Sequence, residues 1–356
     1  MKLYPLKFKP IHRHKVWGGQ KLSELYERSL PRQAIGESWE ISDRPEADTE
    51  VINGELKGIT LSELIDSAGE KVLGRSYSSG EMPARFPLLF KILTPEDRLS
   101  VQVHPDDEMA RRLSGASGKT EMWYVLESEP GAEIICGLIR RDISPEEIVE
   151  RAGAGELEEY LNYRRITAGD VIFLPPGLIH AALPGSVLAE IQQNSDTTYR
   201  LYDWNRDRQG TSRPLHLKEA AEVMRPDLDP EPEQFSPRWQ KGDAFWRLLA
   251  SCQHFSSFNL QLEGSEIVQP RELGTFLIIF CAGGSFTLHC RHQKYSLEKG
   301  QNCLLPASLP EVRLEGRGEL LIFRDGLAEN EVRDLLKDKK IPPEKLVSIP
   351  GMKERL

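Results

Sequence analysis

The sequence predicts a mainly β protein of two β-barrels with inserted helices, the first of them enclosing a site. Three observations carry that expectation. Leu99-Ser-Val-Gln-Val-His104 alternates apolar Leu99, Val101 and Val103 with polar Ser100, Gln102 and His104, the period of a strand, and Pro105 ends it. A strand that is apolar on one side and carries a hydroxyl, a carboxamide and an imidazole on the other suits a barrel wall whose inner face is a site. Phe245 to Arg324 is a second series of short strands separated by glycine turns. Within it, Leu297-Glu-Lys-Gly through Leu-Leu-Pro306 echoes Ile166-Thr-Ala-Gly through Phe-Leu-Pro175, so the strand-turn unit occurs twice.

Bulk properties bound the function. At 356 residues the chain exceeds one ordinary core, and a first domain over 1–214, a helix and linker over 215–240, a second domain over 241–325 and a helix with an extended tail over 326–356 are expected. A formal charge of −9 argues against a general nucleic-acid binder, and it requires locally placed cations for any phosphorylated ligand. No apolar run reaches membrane-spanning length, and the first seven residues lack the apolar core of a signal peptide, so a cytoplasmic protein without membrane contact is expected. Cys136, Cys252, Cys281, Cys290 and Cys303 form no C-x-x-C pair and read as reduced thiols.

Taken in order, His12 and His14 sit in a basic segment ending at Trp17-Gly-Gly. They read as solvated imidazoles on an edge strand, while Trp17 suits either a pocket wall or the core. Gly36–Ser42 alternates as a strand. Thr60 to Leu73 has helical spacing, with Thr60 and Glu63 as a capping box, and a loop follows over Arg75 to Arg85. Lys91 interrupts the apolar strand Phe86–Leu93, as a snorkelling lysine or as an interior cation. After a short helix over 106–113, Gly118–Leu126 places Lys119, Glu121, Trp123 and Val125 on one face. A carboxylate there is costly to bury unless paired or coordinated. Ser144 to Tyr163 reads as two short helices, the first opened by Ser144-Pro. The Gly169–His180 stretch runs from a Gly-Asp turn through an apolar strand to a Pro-Gly turn that aims His180. In the extended segment 190–204, Glu190 and Gln192 share a face, as do Asp196, Thr198 and Arg200. A helix over 215–224, a proline- and acid-rich linker over 226–237 and a charged helix over 329–338 complete the pattern.

Gln102, His104, Glu121 and His180 would form a mixed nitrogen–oxygen set without cysteine, which suits a catalytic metal with an open position; the alternative is four satisfied core polar groups. The second repeat has no histidine after its proline and reads as structural, with His289 and His292 at the surface.

Gln102-x-His104-Pro-Asp, Lys119-Thr-Glu121 and the Gly169–His180 stretch resemble the signature of type I phosphomannose isomerases, within the jelly-roll-like cupin superfamily, short bacterial type. The resemblance runs from Trp17-Gly-Gly to about Trp204. It implies one zinc ion held by Gln102, His104, Glu121 and His180, and interconversion of mannose 6-phosphate and fructose 6-phosphate. It puts the family's active-site arginine on Arg200, its upstream acids on Glu190 and Asp196, and its phosphate-side lysine and serine on Lys91 and Ser100. Three positions depart from the family: Gly118 replaces a histidine, Arg206 a lysine, and Pro184 the asparagine that closes the second cupin motif.

Aldose–ketose exchange through an enediol needs a base near C1 and C2 and a stabiliser for the developing oxyanion. Glu190 is the first candidate base, Lys119 a proton donor or second candidate, and Arg200 an oxyanion partner. Trp17 and Asp196 are expected near the substrate. A cupin iron oxygenase and a non-catalytic sugar-phosphate-binding cupin are the competing readings. The expected partner is a small sugar phosphate, and the chain a monomer or homodimer.

Overall fold

The computed structural model describes residues 1–26, 28–75, 77, 85–206, 213–228 and 234–353. The chain divides into two compact units, each assembled from separated stretches. One comprises Met1–Ile11, Trp39–Lys91 and Gln234–Leu356; the other comprises His12–Ser38 and Ile92–Glu233. Within the first 214 residues the chain passes from one unit to the other inside strands Ile11–Gly19, Ile35–Ile41 and Leu88–Leu93.

In the unit containing Ile92–Glu233, a five-stranded antiparallel sheet runs in the order Leu161–Arg165, Glu133–Leu138, His180–Ala182, Val101–Val103, Tyr199–Tyr202. A second antiparallel layer contains Val171–Leu174, Glu121–Ser128 and Ser186–Gln193. Of the alternating stretch Leu99–His104 only Val101–Val103 is strand, and its apolar residues divide, Leu99 packing with Trp17 and Trp123. Val101 and Val103 pack on one side with Ile148 and Ala152 of helix Pro145–Ala154 and with Ala220 and Val223 of helix Leu217–Val223. Between the two layers lies a second cluster that includes Trp17, Trp123, Val125, Ile134, Cys136, Ile172, Leu174 and Ala182.

The other unit is built on the long antiparallel strands Phe255–Val268, Leu277–Cys290 and Val312–Asp325. Phe90 packs against Phe280 and Phe323, and Phe86 against Phe276. Gly284 (φ 81°) faces Gly318 in register, where a side chain on either would meet backbone of the opposite strand within about 2 Å. Only glycine permits that approach.

Several expected elements take different form. The strands expected over 274–281 and 283–288 are one, carried across Gly283 by an irregularity in pairing, and 319–324 is the end of a strand that starts at Val312. The second short helix before Tyr163 is a 3₁₀ turn, Leu157–Tyr160, leading into an edge strand from Leu161. The tail after Glu329–Asp338 is not extended: Leu346, Ile349 and Met352 are buried with Val332, Leu336 and Leu248. By contrast, Thr60 and Glu63 form the expected capping box on helix Leu61–Leu73. Most of the 75–85 loop and the middle of the 226–237 linker lie outside the described residues. No helix among the described residues is long and apolar enough to cross a membrane. All five cysteines are free and buried.

Candidate metal centre

Strand register brings the site together. His180 pairs with Gln102, and Gln102 pairs on its other side with Arg200, so these three side chains share one face of the five-stranded sheet. In the facing layer, Glu121 pairs with Gln192 and Trp123 with Glu190, again on one face. The two faces meet at Glu121, whose Oε1 lies 3.1 Å from His180 Nε2 and 3.5 Å from His104 Nε2. Gln102 Nε2 lies 3.4 Å from His180 Nε2. His104, Glu121 and His180 are buried, and one ligand atom from each falls within 4.8 Å of the others.

Backbone carbonyls fix both imidazoles. His104 Nδ1 donates to the Thr197 carbonyl at 3.1 Å and His180 Nδ1 to the Leu178 carbonyl at 2.8 Å. Each ring is thereby oriented with its Nε2 toward the same carboxylate, the orientation that a metal-binding histidine requires. Burial, and then the Lys119 ammonium, push the His104 pKa down to about 3. Burial would raise the Glu121 carboxyl, but Lys119 and His104 outweigh it and hold the group well below the usual carboxylate range. Neither Glu121 oxygen receives an aligned hydrogen bond. Two imidazole nitrogens and an anionic carboxylate, all buried, are a donor set that fits a divalent cation.

Lys119 joins this cluster, its Nζ 2.9 Å from Glu121 Oε2 and 3.2 Å from His104 Nε2. The backbone before it is held tightly: Gly118 N donates to Asp107 Oδ1, Lys119 N to the Pro105 carbonyl and Thr120 N to Gln193 Oε1. A Cβ at Gly118 would come within 2.5 Å of the Asp106–Asp107 backbone, so this backbone has no room for a side chain at that position.

The remaining expected residues are distributed more widely. Glu190 is buried and accepts a hydrogen bond from Trp123 Nε1 at 2.8 Å, and the Trp123 ring stands edge-on to His180 with centroids 5.5 Å apart. Arg200 donates from Nη1 to the Pro214 carbonyl at 2.7 Å. Ser100 is buried in the same unit. Lys91 does not snorkel: it is 3% exposed, with Nζ 5.0 Å from the centroid of the Trp39 ring. Trp17 is a core residue between Leu93, Leu99 and Trp123. Asp196 is exposed. Arg206 keeps the cation but spends it on Asp203, three residues earlier, at 2.7 Å and on the distant Asp97 at 2.8 Å. His14 is exposed and His12 half-buried; His292 is exposed, and half-buried His289 pairs with Glu315.

The sequence reading did not assign a role to Trp123, because a tryptophan on an apolar strand reads as core. It missed the carbonyls of Thr197 and Leu178 because backbone acceptors leave no residue signature. It passed over His216, which lies in a segment with no motif.

Residues 6–131 match the family described as phosphomannose isomerase type I, catalytic domain, and residues 247–324 match mannose-6-phosphate isomerase, cupin domain. The mannose-6-phosphate isomerase ManA of Bacillus subtilis is 37% identical over 322 residues, covering 89% of this chain and 98% of that protein. The crystal structure of mannose 6-phosphate isomerase from Bacillus subtilis is 32% identical with a TM-score of 0.81, covering 90% of this chain and 99% of that one. A structure of mannose 6-phosphate isomerase bound with zinc and yttrium shares the fold at 17% identity, with a TM-score of 0.72 over 91% of this chain and 100% of that one.

Proposed function

The chain belongs to the type I phosphomannose isomerases, a family of mannose-6-phosphate isomerases, and we propose that it interconverts mannose 6-phosphate and fructose 6-phosphate through an enediol at a single zinc centre. The observation that carries the zinc reading is the buried His104–Glu121–His180 cluster, with both Nε2 atoms directed at one carboxylate. Zinc held there by these three and by Gln102 would supply a Lewis acid to polarise sugar oxygens.

The chain's own residues supply the rest. Glu190 is the proposed base for the proton shuttled between C1 and C2. It is anchored by Trp123 Nε1, which fixes one oxygen and the direction of the other. Lys119, beside Glu121, is the proposed proton donor to the developing oxyanion. Arg200 is a second, permanently charged partner for that oxygen. Lys91 and Ser100 are proposed to hold the phosphate, with Trp17 and Asp196 as supports of the substrate pocket. An interior so closed to solvent also protects an enediol from side reactions.

A coupled assay for fructose 6-phosphate formation tests the reading. Turnover should fall to background on chelation and return when zinc is restored. Absence of turnover in a folded, zinc-replete sample would overturn the isomerase reading, and full activity after complete metal removal would overturn the zinc reading. Arg200→Ala should lower kcat by about 10²-fold or more, the scale of a lost oxyanion partner.

A further inference from the structure

Strand Tyr199–Tyr202 is the last of its sheet, and its outer edge would leave backbone groups unpaired just where Arg200 is presented. His216 fills that edge. The Arg200 backbone N–H donates to His216 Nδ1 at 3.1 Å, and the His216 backbone N–H donates to the Arg200 carbonyl at 2.8 Å. These are the two bonds that a neighbouring strand would exchange with Arg200, with an imidazole nitrogen standing in for one carbonyl. His216 precedes helix Leu217–Val223 at the capping position, yet its side chain makes no hydrogen bond to that helix. The Pro214 carbonyl, two residues earlier, holds the Arg200 guanidinium at Nη1. One short segment therefore grips this arginine at both ends.

We infer that His216 is a positioning residue for the isomerisation, fixing the place of Arg200 through its Nδ1 atom. The inference rests on the proposed role of Arg200. Arg200 faces Gln102 across the strand pair and its Nε makes no hydrogen bond, so the side chain's direction depends on its backbone and on Pro214. An oxyanion partner loses most of its effect when displaced by an ångström. Burial, and then the Arg200 charge, lower the His216 pKa, which keeps Nδ1 able to accept. A structural histidine would serve through its packing. A positioning one serves through a single acceptor atom, and that difference is testable.

The decisive set is wild type, His216→Ala, His216→Asn, Arg200→Ala and the double variant His216→Ala/Arg200→Ala. Each is assayed on mannose 6-phosphate at full zinc occupancy, with melting temperature recorded. Asparagine Oδ1 occupies nearly the place of histidine Nδ1, so His216→Asn should keep kcat within about threefold of wild type, while His216→Ala loses about tenfold, chiefly in kcat. The double variant should be no slower than Arg200→Ala alone, because a positioning residue has nothing left to position. Wild-type kcat in His216→Ala, equal losses in His216→Ala and His216→Asn, or losses that multiply in the double variant would each overturn the inference. If His216→Ala does not fold, His216→Gln replaces it: its longer side chain cannot place an acceptor at the same point, so it should lose kcat where His216→Asn does not, and equal activity of the two would overturn the inference. Full activity in Arg200→Ala would instead overturn the role of Arg200 itself, a separate failure visible without any His216 variant.

Discussion

Each imidazole of the proposed metal site is committed at one nitrogen to a backbone carbonyl, so on that reading Glu121 is not replaceable by its amide. Glu121→Gln keeps the shape but would turn an N–H₂ group or a neutral oxygen toward two lone pairs. The variant should hold well under one zinc per chain after dialysis, measured by atomic absorption, where wild type is expected to hold one. Trp123→Phe keeps a ring against His180 but removes a donor from a buried carboxylate, a loss of about 1–3 kcal/mol in stability and a fall in kcat. Thermal melts and the isomerase assay check both. Gly118→Ala should destabilise by a similar 1–3 kcal/mol or so, since its Cβ meets backbone and not a yielding side chain, and should lower activity by shifting Lys119. The grouping of His104, Glu121 and His180 was legible in sequence because a polar residue at a regular position in an apolar strand stands out. The bond from Trp123 to Glu190 was not, because it joins strands 67 residues apart and uses a residue whose apolar bulk already explains its place.

At the scale of elements, local signals succeeded where the chemistry is local. The capping box of helix Leu61–Leu73 is one such case, with Glu63 N donating to the Thr60 hydroxyl and Thr60 N donating to the Glu63 carboxylate. Thr60→Ala should cost about 1 kcal/mol, and should lower the melting temperature by a few degrees without changing metal content. The alternation held for Val101 to His104, where helices cover Val101 and Val103 and the His104–Glu121–His180 cluster lies on the other side, but Leu99 packs instead with Trp17 and Trp123. Leu161–Arg165 was misread because its burial alternates weakly and it is an edge strand, with only Glu133–Leu138 beside it. Glycines at 283 and 284 suggested a turn, but the chain continues as one strand, and Gly284 serves a close backbone approach to Arg317 and Gly318. Local propensity cannot separate those two uses of glycine.

At the scale of the whole molecule, the proposed metal ligands and the C-terminal tail belong to different units, which makes the two separable by experiment. The tail read as extended because its proline-rich sequence has no periodicity. What orders it is tertiary: Leu346, Ile349 and Met352 close over Val332 and Leu336, with Phe235, Trp239 and Phe258 packed alongside. The Phe235 amide also donates to the Ser348 carbonyl, and the Ser251 amide to the Pro350 carbonyl. Truncating a fully buried leucine to alanine leaves a cavity worth about 2–5 kcal/mol, so Leu346→Ala should lower stability by that order. Because Gln102, His104, Glu121 and His180 all lie between Ile92 and Glu233, zinc stoichiometry in Leu346→Ala should remain that of wild type under native conditions. On heating, a calorimetric trace with zinc release read by a chromophoric chelator should show the tail-bearing unit melting earlier than the metal-bearing one. A single transition in which zinc leaves at the lowered temperature would instead mean that the units unfold as one cooperative body, and that the tail sets the thermal limit of the metal centre itself.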